Sequence, residues 1–129
     1  MSPNSIGILI GICGLMVIFL TKNKANTLFT KKLWHTSLIL FLSYTILLLF
    51  VEIRWEYLQY YASRFDLNQD GTLDWNESTD EALNALQKAS HDTARNFAFL
   101  TTALFSTLIA TLFFIANHLF SKKSKNPSI

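Results

Sequence analysis

Residues 66–77 carry oxygen-bearing side chains at a spacing that suits a cation. Asp66, Asn68 and Asp70 alternate with residues that are not donors, Gly71 follows, Thr72 and Asp74 keep the alternation, and Glu77 closes the run. Every donor in this set is a hard oxygen. Calcium is a hard cation that takes about six to eight oxygens at once, and one short loop can supply them only by turning alternate residues inward around a sharp bend. Gly71 stands where that bend needs a backbone other residues resist. Asp66, Asn68 and Asp70 would give side-chain oxygens and Thr72 its backbone carbonyl. Asp74 would often act through a water, and Glu77 would give both carboxylate oxygens.

The run resembles the EF-hand family, and the resemblance extends over roughly residues 52–89. It implies a helix-loop-helix that holds one Ca2+ on Asp66, Asn68, Asp70, Thr72, Asp74 and Glu77. Leu73 occupies the apolar place that this family uses to bridge two neighbouring loops, and Phe65 and Trp75 fit its apolar flanks. The sequence contains no second loop of this kind. The resemblance therefore implies that Leu73 meets another copy of the chain or a different protein.

The elements that must position this loop are apolar. Half of the 129 residues are hydrophobic, mean hydropathy is +0.27, and the apolar residues are clustered. Segments 6–20, 33–51 and 96–121 contain no charged residue. A helix that crosses a bilayer needs about 20 mostly apolar residues. Segments two and three suffice alone, and the first suffices with its flanks. The first is not expected to be a cleaved leader: no basic residue precedes it, and Lys22 and Lys24 follow directly. The expected fold is an all-α membrane protein. Transmembrane helices occupy 1–21, 33–53 and 96–121, and one EF-hand, 54–95, is inserted between the second and third.

Charge orients this arrangement. Linker 22–32 carries Lys22, Lys24, Lys31 and Lys32 without an acid, and tail 122–129 carries Lys122, Lys123 and Lys125 without one. All nine acids lie between Glu52 and Asp92, against Arg54, Arg64, Lys88 and Arg95, a net charge of −5. Short basic loops stay cytoplasmic. The expectation is an N-terminus and EF-hand outside a plasma or inner membrane, with linker and C-terminus cytoplasmic.

Local signals predict the connections. The second span should run unbroken into the hand, with Trp55, Leu58, Ala62 and Phe65 on one face. Asp74 should cap the exit helix, whose apolar stripe reads Ala82, Leu83, Leu86 and Ala89. From Glu52 to Phe65 the outgoing arm is 14 residues, and from Trp75 to Arg95 the return is 21. Straight helices of such unequal length cannot join the same membrane plane. A break is expected at Ser90, His91, Asp92 and Thr93, with Asp92 capping the third span. Gly7, Gly11 and Gly14 share one face of the first helix, and Ala98, Thr102, Ser106 and Ala110 one face of the third. Small residues at this spacing allow close helix contact in lipid.

No nucleophile–base set, phosphate loop or zinc spacing accompanies the loop, so no enzyme is expected. Cys13 stands alone, so no internal disulfide is possible, and its expected role is packing. No ionisable residue sits mid-span, which counts against a proton or ion pathway within one chain. The expected role is an accessory or regulatory membrane subunit whose hand sets the arrangement of the adjoining spans. The expected partners are the lipid bilayer and either a homo-oligomer or another membrane protein, and not nucleic acid. The alternative is a small oligomeric channel or transporter gated by calcium. Its pathway could draw only on Thr101, Thr102, Ser106, Thr107 and Thr111.

Overall fold

The structure is a computed structural model that describes residues 2–125, except the side chains of residues 93, 94 and 121–125. The side chains of the tail lysines, and residues 126–129, therefore lie outside the described set. The described residues are helical, without a strand. They form α1 (Pro3–Thr21), a 3-10 turn (Lys22–Lys24), α2 (Leu28–Ser63), α3 (Asp80–Ser90), a second 3-10 turn (Thr93–Phe97) and α4 (Ala98–Lys125). Three of the helices are long and apolar enough to cross a membrane.

Local chemistry fixes the helix starts. Ser2 Oγ accepts the Ser5 amide at 3.1 Å, and Pro3, which has no amide to orphan, opens α1. Thr27 and Thr30 form a reciprocal capping box at the start of α2. α2 then runs 36 residues without a break, about 54 Å. The apolar run and the outgoing arm are one rod, as the periodicity predicts.

The return arm departs from expectation. Asp74 does not cap a helix. Its carbonyl closes one isolated turn with the Glu77 amide at 2.9 Å. Helix α3 starts only at Asp80, capped by Thr79, which accepts the Ala82 amide at 3.1 Å. Asp80 and Glu81 in its first turn and Lys88 in its last suit the helix dipole. The buried stripe of α3 is Ala82, Ala85 and Ala89, while Leu83 and Leu86 are about half exposed. α3 packs against α2. Three alanines let two backbones approach closely, which leucines at those places would prevent. The unequal arms are reconciled by breaking the return twice, at 78–79 and at 91–92.

The second break has its own partners. Asp92 precedes the 3-10 turn but makes no capping hydrogen bond. It faces Arg54 at 3.9 Å instead. The orphan amide of Phe99 in the first turn of α4 is satisfied from another helix. Asn4, buried in α1, accepts it at 3.2 Å and donates to the Arg95 carbonyl at 3.1 Å. One side chain thus ties the start of α4 to the start of α1.

α2 packs against both α1 and α4, which touch each other little. Both small-residue faces are used in these contacts. Ala98, Thr102, Ser106 and Ala110 are all buried. A methyl group added at Gly7 would lie 2.6 Å from both Leu48 Cδ2 and Tyr44 Oη, and one at Gly11 would strike Thr45. At the opposite end of the bundle, Trp34 Nε1 donates to the Ile18 carbonyl at 2.8 Å. The loop and its acidic residues thus occupy one end, and the lysine linker the other.

Candidate metal centre

The loop hangs between the end of α2 and the start of α3, and its backbone is shaped by its own side chains. Gln69 (φ 58°) and Gly71 (φ 86°) both take the left-handed conformation. Gly71 does so without strain, and Gln69 is held there by its neighbours. Asp66 straps the bend: its two carboxylate oxygens accept the Asp70 amide at 3.2 Å and the Gly71 amide at 2.8 Å. Asp70 accepts both the amide (2.8 Å) and the hydroxyl (2.7 Å) of Thr72. The Thr72 hydroxyl, followed by its amide, holds the Asp70 carboxyl below its ordinary value of 3.8.

Glu77 closes the loop across its mouth. One carboxylate oxygen accepts the amides of Leu67 (2.9 Å) and Asn68 (3.2 Å), and the other accepts that of Asp74 (3.3 Å). The last residue of the run is thereby fastened to its beginning. Asn68 lies inside. Its Nδ2 donates to Asp70 at 3.0 Å and to Asp74 at 3.1 Å, while its Oδ1 accepts the Asp70 amide. The Asn68 side-chain amide thus bridges two carboxylates with its positive end.

Among the described residues, no three His, Cys, Asp or Glu side chains converge as a metal-holding group. The structure brings Asp66, Asn68, Asp70, Thr72, Asp74 and Glu77 into one hydrogen-bonded ring, but their oxygens point at amides rather than at one shared point. The donor set is all oxygen and suits a hard cation. Binding would require the Asn68 amide to turn and Glu77 to exchange its amide partners for the ion. Leu73 is half-buried, and Trp75 is 94% exposed.

The arms are joined just above the loop, where Tyr61 Oη of α2 donates to Glu81 of α3 at 3.0 Å. That bond, with the negative charge of Glu81, raises the Tyr61 phenol above its ordinary value. Tyr61 also meets Phe65 edge to face. Farther from the loop along α2, Glu52 is more enclosed than a solvated acidic face would be. It accepts Ser2 Oγ at 2.8 Å and Arg95 Nε at 3.3 Å, and the Arg95 guanidinium lies 4.1 Å over the Trp55 ring. Sequence reasoning missed Asn4, Thr79 and the Glu52–Arg95 pair. Thr79 carried a signal, since Thr followed by Asp-Glu-Ala is a good helix start. Asn4 carried none, because its partners lie more than 90 residues away.

The residues available to a channel do not form one face. Thr102 and Ser106 are buried within the chain, whereas Thr101, Thr107 and Thr111 are exposed and donate to backbone carbonyls four residues earlier. No family model, curated protein or solved structure matches this chain.

Proposed function

We propose that this chain is a membrane-embedded calcium-binding protein that serves as an accessory or regulatory subunit, and that it is not an enzyme. One observation carries the reading. The oxygen-rich loop is already bent by Asp66 around Gly71, with Glu77 drawn back to residues 67 and 68. A loop closed in this way needs side-chain rotations, not refolding, to surround a hard cation. Four carboxylates in twelve residues repel one another, and a divalent ion removes that repulsion.

In this reading α1, α2 and α4 cross the bilayer, with the lysine linker cytoplasmic and the loop outside. Outside a cell, calcium is abundant, and a dissociation constant of roughly 0.1–1 mM suffices. α2 transmits the event, because the same unbroken helix runs from the bilayer to the loop. Calcium that reorients α3 would act on α2 through the Tyr61–Glu81 bond. The partner is a second copy or another membrane protein, which would cover Trp75, Leu67, Leu83 and Leu86. The glycine face of α1 does not support that contact, since α2 already fills it.

Calorimetric titration of the detergent-solubilised chain tests the proposal. It should show one calcium per chain, with little competition from equal magnesium, which demands a tighter octahedral site. No heat beyond dilution up to several times the expected constant would remove the basis for this function.

A further inference from the structure

At the end of the bundle nearest the loop, a cavity of about 700 Å3 opens between α1 and α2. Its apolar part is Ile8, Leu9, Leu49 and Ile53. Leu9, Leu49 and Ile53 are 39–64% exposed, so this wall faces the surroundings of the bundle. Its polar part holds Ser2, Ser5, Glu52, Trp55, Glu56 and Arg95.

The charges in this cavity are incompletely used. Arg95 gives only its Nε to Glu52, and its terminal amino groups meet no acceptor among the described residues. The Trp55 ring lies against the guanidinium, its centroid 4.1 Å from Arg95 Cζ, and helps to hold it in place. Glu56 is exposed and has no cationic partner among the described residues. With Glu52 the rim carries a net charge of −1. A purely anionic ligand would be repelled by two carboxylates, and a purely cationic one would leave the Arg95 amines unsatisfied. A zwitterion satisfies both groups.

We propose that this cavity holds a zwitterionic phospholipid of the outer leaflet. Its phosphate lies on the free amines of Arg95, its ammonium group on Glu56, and one acyl chain runs along Leu9, Leu49 and Ile53. Guanidinium and phosphate match in geometry as well as in charge, and the apolar wall continues directly from the polar rim toward the bilayer core. The 3-10 break at 93–97 has a function here, because it brings Arg95 over Trp55 rather than continuing a straight helix. The proposal rests on the membrane placement above but not on calcium binding.

The full-length chain is reconstituted in vesicles of equal phosphatidylethanolamine and phosphatidylglycerol, extracted in mild detergent, and weighed by native mass spectrometry. One phosphatidylethanolamine should remain bound per chain, in preference to phosphatidylglycerol. Glu56→Gln leaves every contact of the fold in place and should lower that retention about tenfold, the loss of one charge-assisted contact. Leu9→Trp fills the apolar wall and should release both lipids. Alkaline washing of the membranes reads the placement separately: a chain that washes off refutes the spans themselves. A chain that stays in the membrane but retains no lipid, or retains both lipids equally, overturns the lipid site. So does unchanged retention in both variants, or a copurifying protein that Leu9→Trp releases in place of lipid.

Discussion

Glu77 is the residue on which the loop depends at both levels. In the hydrogen-bonded form it accepts three amides, and in the calcium form it would contribute two oxygens. Glu77→Gln keeps the size but removes the charge and one acceptor. Calcium affinity should fall at least about tenfold, the equivalent of one charge-assisted contact, as calorimetry would show. Asp70 gives a pH signature. Its carboxyl is depressed below 3.8 by Thr72, so the stabilisation it gives is present above the ordinary carboxylate range and is lost as pH falls through the depressed value. The Thr72 amide resonance should therefore hold its position as pH falls to about 4, near the reference aspartate value, and move only below it. In Thr72→Ala the loss of the hydroxyl should shift that transition to higher pH. At this scale the residues that close the loop were legible, because oxygen-bearing side chains spaced around a glycine reach the loop's own amides. Their orientation was not: whether Asn68 presents its oxygen or its amide inward depends on what occupies the centre, and composition is silent on that.

The elements follow from packing more than from local propensity. α2 was readable from Leu33 onward because no Gly or Pro interrupts it and its apolar residues keep a helical period, but its start at Leu28, inside the expected linker 22–32, was not. The exit arm was misread at Asp74, where a plausible cap lost to the loop's own turn, while Leu83 and Leu86 of its apolar stripe are about half exposed and leave that face partly uncovered. Three alanines do the packing instead. The glycine face of α1 makes a sharp prediction. Gly11→Leu would drive a side chain into Thr45 and Tyr44, and overpacking of this kind costs about 1–3 kcal/mol. Denaturant unfolding of the solubilised chain should register that loss, whereas Ile10→Leu, at an exposed position, should be neutral. If the two variants unfold alike, α1 does not pack on α2 through its glycines. The Tyr61–Glu81 bond joins the two arms, and the raised Tyr61 phenol means that its contribution is complete below the ordinary phenol range and fades as pH rises through the raised value. Tyr61→Phe should remove that alkaline dependence from the unfolding curve.

At the scale of the molecule, polarity is divided between two ends. One end holds the loop, Glu52, Arg95 and Asn4, and the other holds the lysine linker and Trp34. This division was legible from charge alone, since all nine acids lie in one segment. The knot at Ser2, Asn4, Glu52 and Arg95 was not, because it joins the start of α1, α2 and the second 3-10 turn, which no local pattern relates. With Cys13 replaced by Ser, a cysteine at Gln69 should react with an impermeant thiol reagent outside intact cells, and one at Asn26 only after permeabilisation. The reverse result would place the loop in the cytoplasm, where a sub-micromolar sensor would be the better reading.

The central claim is that loop 66–77 takes up one calcium, and the backbone amides inside it report this most directly. In the nitrogen-proton spectrum of the solubilised chain, calcium should shift Asn68, Asp70 and Gly71, whose amides contact Glu77, Asn68 and Asp66. The shifts should saturate together at one equivalent with a constant of roughly 0.1–1 mM, while Asn26 at the far end stays still. Amides of 66–77 that do not move at about ten times that concentration, or that move no more than Asn26, would contradict it.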